Sequence, residues 1–289
     1  MPNYVTNKLS VTNVNERRMQ QIKDFVSSEE IVDGKTVPVA FDFNKIIPMP
    51  EDLRVISGSI TEQTMNLYSR YCIPGSKWNA RLGIDEQTFN DILMSEEVCN
   101  KRKYEIPFPF DVETRPQDWD CLKQRETIYW EADPDQGKIP EPLPTLVCGY
   151  RYFKNKILYG FPTWYEWRRF FWETKWNASS SCVADDGFGW TFTTAWTAPL
   201  HVIEVLSRIF PDAEFEMKYA DEDIGSNCGM VSYKNGESFN ERIFDGGKEA
   251  DEFAIRVIYN STPEEAGYVF DEEEGVYVWH DELEELEES

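Results

Sequence analysis

Carboxylates are the reactive groups this sequence supplies in quantity, and two clusters of them adjoin glycines. In Asp185-Asp186-Gly187-Phe188-Gly189, two carboxylates beside a turn could offer the oxygen ligands magnesium requires. The same residues also make a turn leading into the strand that follows, and this is the reading we adopt. Asp221, Glu222 and Asp223 precede Gly225 and faintly resemble a calcium loop. The EF-hand spacing fails, because the glycine would have to fall at 226 and position 232 is Ser rather than the bidentate Glu. Nucleophilic and transition-metal chemistry have less support. His201 and His280 are the only histidines. The six cysteines (Cys72, Cys99, Cys121, Cys148, Cys182 and Cys228) lie at least 22 positions apart, so no CxxC pair exists. They read as reduced structural thiols. No GxxxxGK[ST], GxGxxG or GxSxG occurs, so neither a phosphate loop nor a nucleophile elbow is signalled. No cofactor, metal or catalytic residue is expected.

Charge says more. The 289 residues carry 53 acidic against 29 basic side chains, a formal charge of −24. Dividing the chain after Ser180 leaves 23 basic and 26 acidic residues before the cut, or −3, and 6 basic and 27 acidic after it, or −21. From Asp271 to Ser289 there are ten carboxylates and no Lys or Arg. Such a run is either a solvated face with a frayed tail or a surface for a basic partner. For the second reading the candidate residues are Asp271, Glu272, Glu273, Glu274, Asp281, Glu282, Glu284, Glu285, Glu287 and Glu288. On a helix, acids three and four apart lie about 5–6 Å from each other and roughly imitate a row of phosphates. Direct contact with nucleic acid or an anionic membrane is disfavoured, since either needs a basic face. Lys101, Arg102 and Lys103, with Tyr104 adjoining, are the alternative nucleic-acid contact, and Arg168-Arg169 is a further basic cluster. No apolar run nears the roughly 18 to 20 residues that cross a bilayer, and the first ten residues lack a signal-peptide core, so a cytoplasmic protein is expected.

The elements that must position these groups follow from periodicity. Val5, Leu9 and Val11 alternate with polar residues as in a half-buried strand, and Asn15 caps a helix whose stripe is Met19, Ile22 and Val26. Val37, Val39, Phe41 and Phe43 then alternate, predicting a second strand and a first β-α-β unit within 1–50. Trp190, Phe192 and Thr194 share one strand face with Phe188 and Trp196. Leu200, Ile203, Leu206 and Phe210 mark a helix after Pro199, and Phe215, Met217 and Tyr219 mark the next strand. With the aromatic segment before them, these make a second half over 161–235, and Trp190 and Trp196 are expected in the core. Residues 51–160 read as an inserted mixed subdomain, helical at 61–72 and around Phe89, Ile92 and Leu93, with a proline-rich loop near 133–144. The stretch 163–176 predicts an aromatic helix. Residues 236–289 predict a helix at 248–259, a hairpin of 268–270 with 276–279, and the acidic tail. The fold class is α+β: a ferredoxin-like split β-α-β sandwich with a large inserted mixed subdomain and an acidic C-terminal extension.

The segments PNYVTNKLSVT, FDFNKIIPMPEDL, WYEW with TKWNA, TAWTAPLHVIEVLSRIFPD and YADED-x-G together resemble the YubB ferredoxin-like family of bacteriophages and conjugative plasmids. That resemblance implies a ferredoxin-like domain and a mobile-element setting. It supplies no catalytic residues, and its Trp, Pro and Asn positions look architectural. The expectation is a non-catalytic accessory protein that binds a host protein with a basic surface and obstructs a defence or nucleic-acid-handling system. The alternatives are a nucleic-acid-binding module using the sheet, and a carboxylate-based metal-dependent enzyme. Self-association through so many aromatic residues is open.

Overall fold

The computed structural model describes residues 2–32, 34–58, 61, 62, 64, 65, 126, 127 and 143–280. In chain order the elements are β1 (Tyr4–Thr12), α1 (Glu16–Val26), β2 (Ser28–Val32), β3 (Lys35–Val39), α2 (Phe43–Ile46), a 3₁₀ turn (Glu51–Leu53), β4 (Glu126–Thr127), β5 (Leu143–Pro144), α3 (Thr145–Tyr159) and α4 (Trp164–Phe171). There follow β6 (Ser179–Val183), β7 (Gly189–Ala195), α5 (Leu200–Ile209), β8 (Glu214–Asp221), β9 (Cys228–Lys234), β10 (Glu237–Phe244), α6 (Lys248–Tyr259), β11 (Tyr268–Asp271) and β12 (Val276–Trp279). The chain forms two compact units, one of Met1–Pro48 with Arg168–Ser289 and one of Met49–Trp167.

The first unit is built on a six-stranded antiparallel sheet in the order β10-β9-β8-β1-β7-β6. Its four strands β8-β1-β7-β6, with α1 after β1 and α5 between β7 and β8, have the ferredoxin-like split β-α-β topology. Period-two burial makes β1 central: Val5, Asn7, Leu9 and Val11 point into the core, and both neighbours pair with it along nearly its whole length. Asn7 is fully buried, and its Nδ2 donates to Thr194 Oγ1 at 2.8 Å and to Val5 O at 2.9 Å, while its Oδ1 has no hydrogen-bond partner among the described residues. As its sequence signals, α1 starts on Asn15, whose side chain accepts from Arg18 N at 2.9 Å, and buries Met19, Ile22 and Val26. α5 buries Val202, Ile203 and Leu206.

The second strand of the first β-α-β unit differs from the prediction. Among the described residues Lys35–Val39 pairs with Ser28–Val32 alone, in a separate hairpin, and the strand that completes the unit is β6, beyond the insertion in the sequence. Phe41 and Phe43 leave the extended run to fill the core instead. Phe41 stacks on Phe192 with centroids 5.0 Å apart, and Phe43 meets Trp172 at 5.8 Å. Asn177 Oδ1 accepts from Phe43 N at 2.9 Å and holds the turn. The aromatic helix is also shorter than predicted. It ends at Phe171, where Glu173 takes a φ of 62°, and Thr174 Oγ1 then accepts from Ala195 N at 3.2 Å and donates to its carbonyl oxygen at 2.8 Å.

In the second unit, Asn155 on α3 donates to the carbonyl oxygens of Asp52 and Pro162 at 2.7 and 3.1 Å, and Tyr159 donates to Asp52 Oδ2 at 3.0 Å. Of the predicted 61–72 helix, residues 61, 62, 64 and 65 are helical. The rest of that helix, the one around Phe89, Ile92 and Leu93, and the loop up to residue 142 lie outside the described residues.

Candidate functional site

The acidic part of the first unit is assembled on α6. This helix buries Ala250, Ala254 and Val257 against Ala220 on β8 and Cys228 on β9, with Ile224 and Phe244 at the margin. Burial lifts the Cys228 thiol to about 11, so it stays protonated and inert at neutral pH. The small residues here let α6 approach the sheet closely and leave its other side for the β11–β12 hairpin.

Side chains of α6 dock that hairpin. Asp251 Oδ2 accepts from Tyr277 N at 2.8 Å, Tyr277 donates its hydroxyl hydrogen to Glu252 Oε1 at 3.2 Å, and Lys248 Nζ lies 4.2 Å from the centre of the Phe270 ring. Asp251 is only 3% exposed, and desolvation pushes its carboxyl above the usual range despite the bond from Tyr277 N. Gly225, at φ 80°, makes room for it: a Cβ there would overlap Asp251 Oδ1. Neither Asp251 nor Gly225 was singled out from sequence for this role, because their relation spans 26 residues and carries no local pattern.

The expected acidic residues divide into three groups. Asp271 Oδ1 accepts from Glu273 N at 2.8 Å and Glu274 N at 3.2 Å, so its carboxylate forms the hairpin turn. Glu272, Glu273 and Glu274 project from that turn and are exposed. Asp281, Glu282, Glu284, Glu285, Glu287 and Glu288 lie outside the described residues, as do Lys101, Arg102 and Lys103. Exposed Glu237, Glu241, Asp245, Glu249, Glu264 and Glu265 add to the same part of the chain.

The cations of residues 181–289 leave this charge uncompensated. Lys218 pairs with Glu216 at 2.7 Å, Lys234 with Glu214 at 2.9 Å, Arg242 with Glu249 at 2.5 Å and Arg256 with Glu252 at 3.8 Å. Arg208 pairs with Glu204, and Lys248 lies over Phe270. All six bases thus have partners within the unit; Arg18 on α1 adds a pair with Asp212 at 2.5 Å, and among the described carboxylates Glu237, Glu241, Asp245, Glu264, Glu265 and Glu272 to Glu274 are exposed. Such exposed pairs add little stability, but they set the sign of the surface.

The other two carboxylate clusters are occupied by the backbone and by amides. Asp186 Oδ1 accepts from Phe188 N at 2.8 Å within the β6–β7 turn. Asp221 accepts from Asn3 Nδ2 at 3.3 Å, Asp223 N at 3.0 Å and Asn227 Nδ2 at 3.1 Å, which ties the end of β8 to the start of β1. Among the described residues, no group of three or more His, Cys, Asp or Glu is placed to share a metal ion. On the sheet, Trp190 is buried in the core as expected. Trp196 is not: it leaves β7 at φ 73° and is 36% exposed, with Lys175 Nζ 5.3 Å from its ring centre.

Residues 171–278 match the family model described as a ferredoxin-like domain in Api92-like protein. Among solved structures the chain is similar to the crystal structure of a protein api92 from Yersinia pseudotuberculosis, at 12% identity. That similarity covers 86% of this chain and 100% of the other, with a TM-score of 0.36. No curated protein matches. No helix among the described residues is long and apolar enough to cross a membrane.

Proposed function

We propose that this protein is a non-catalytic binding module whose acidic C-terminal part engages a basic surface on another protein. The observation that carries this reading is the −21 of residues 181–289, in which the six bases already have partners and Glu272, Glu273 and Glu274 stand exposed on the hairpin turn, while from outside the segment Arg18 pairs with Asp212. A surface of one sign attracts its complement at range and discriminates against like-charged partners. The resemblance to YubB-type proteins supports a mobile-element setting in the cytoplasm of a host cell. There the partner is a host protein whose basic cleft handles nucleic acid or serves defence, and the carboxylates take the place of phosphates.

Capture from host lysate tests the proposal, using the full chain and a variant with Glu272, Glu273, Glu274, Glu282, Glu284, Glu285, Glu287 and Glu288 changed to Gln. The expected result is a partner held at low salt, released as salt rises and absent from the variant. Equal capture by both would remove the acidic surface from the mechanism.

A further inference from the structure

Pairing across the sheet lines up one row of side chains. Lys8 on β1 stands opposite Thr191 on β7 and Lys218 on β8, and the row runs on to Met230 on β9 and Arg242 on β10. Val5, Asn7, Leu9 and Val11 take the core side of β1, so Lys8 lies on the other face. Helix α6 follows this row. Arg242 pairs with Glu249 in the first turn of α6, and Lys8 Nζ lies 3.5 Å from the carbonyl oxygen of Arg256 in its last turn.

The place of Lys8 in the row is unfavourable for a cation. Like charges directly opposite each other on neighbouring strands repel, and Lys218 is its partner on β8. The nearby carboxylates belong to other bases: Glu216 on β8 pairs with Lys218 at 2.7 Å, and Glu252 on α6 faces Arg256 at 3.8 Å. On β7 its neighbour is the uncharged Thr191. The oxygens that Lys8 reaches are Arg256 O and Asn260 Oδ1, each at 3.5 Å, longer than a good N–H···O bond. Burial, and then the charge of Lys218, hold the Lys8 ammonium below the ordinary lysine range. More of this side chain is therefore neutral amine at a given pH, the form in which lysine is a nucleophile. Lys8 is half-buried, and the side chain of Lys218 beside it is 42% exposed, so small molecules have access.

We propose that Lys8 is a site of acyl modification by small acyl phosphates. The Lys8 amine attacks the acyl carbon and forms a C–N bond, the C–O bond to phosphate breaks, phosphate leaves with that electron pair, and the nitrogen loses its proton to solvent to give an amide. Lys218 and Arg256 put positive charge beside the amine, which draws a donor whose leaving group is an anion. The product is uncharged, so modification ends the conflict with Lys218 and takes one base from a chain with a formal charge of −24. The inference stands apart from the reading of the acidic surface.

Incubation of the full chain with acetyl phosphate over a pH series, with acetylation at each lysine read by peptide mass spectrometry, tests the proposal. Lys35 and Lys45, exposed in the same unit, are the references. At about pH 8 Lys8 should acetylate at least about threefold faster than either although it is less exposed, because lowering the pKa by one unit raises the neutral fraction about tenfold. Its rate should level off at a lower pH than in a peptide of residues 4–12. Lys218→Gln should slow Lys8 by at least about twofold and move the levelling to higher pH, while Lys218→Arg, which keeps the charge, should preserve the advantage. The uncharged reagent succinimidyl acetate should favour Lys8 less than acetyl phosphate does. Lys8 acetylating no faster than Lys35 and Lys45, or unmoved by Lys218→Gln, would overturn the proposal. An equal advantage with both reagents would overturn the choice of an acyl phosphate.

Discussion

Asp251 shows how one carboxylate can be structural in a protein full of solvated ones. Its burial raises the folded-state pKa above the unfolded value, so the folded state holds the proton more tightly. Stability from this group is therefore complete below the unfolded pKa and declines as pH rises through the raised folded pKa. Asp251→Asn keeps an acceptor for Tyr277 N and removes that decline. We expect the melting temperature of the Asn variant, relative to wild type, to rise between acidic and neutral pH; parallel curves would show that the carboxylate is not desolvated. Asp251→Ala leaves Tyr277 N without its acceptor and should cost about 1–3 kcal/mol, measured by urea unfolding. Gly225→Ala should cost a similar 1–3 kcal/mol, since φ is positive there and the new Cβ meets Asp251 Oδ1.

Among the elements, local signals and long-range ones behaved differently. The α1 helix was legible because its cap and its stripe lie within 12 residues, and Asn15→Ala should lower stability by about 1 kcal/mol in the same urea assay. An unchanged midpoint would deny the cap its role. The strands β7 and β8 were legible from alternation alone. The second strand of the first half was not, since Val37 to Phe43 alternates whereas Ser179–Val183 shows no alternation, and only packing selects β6. Phe41 contributes more in the core beside Phe192 than in an edge strand, while Ser179–Val183, with three serines, completes the sheet. β10 carried no signal because it is exposed on both faces at the edge of the sheet. For the candidate site, the charge and the hairpin could be read from sequence. The docking of the hairpin through Asp251 could not, because it depends on groups that meet only after α6 has packed.

At the scale of the whole molecule, charge is distributed by position along the chain. The ferredoxin-like unit contains the −21 segment, whose six bases have partners within that unit. This organisation predicts weak affinity for single-stranded nucleic acid, since phosphates meet a repelling surface; a clear mobility shift at about 50 mM salt would argue for the sheet instead. It also predicts that partner capture weakens steeply as salt shortens the screening length to a few ångströms. The most direct measurement is host-protein capture by the full chain and by the eightfold Glu→Gln variant, each at about 0.05 M and 0.5 M salt. The account predicts a partner retained by wild type at low salt, and lost both at high salt and in the variant. Retention of the same partner by the neutralised variant at both salt concentrations would contradict it.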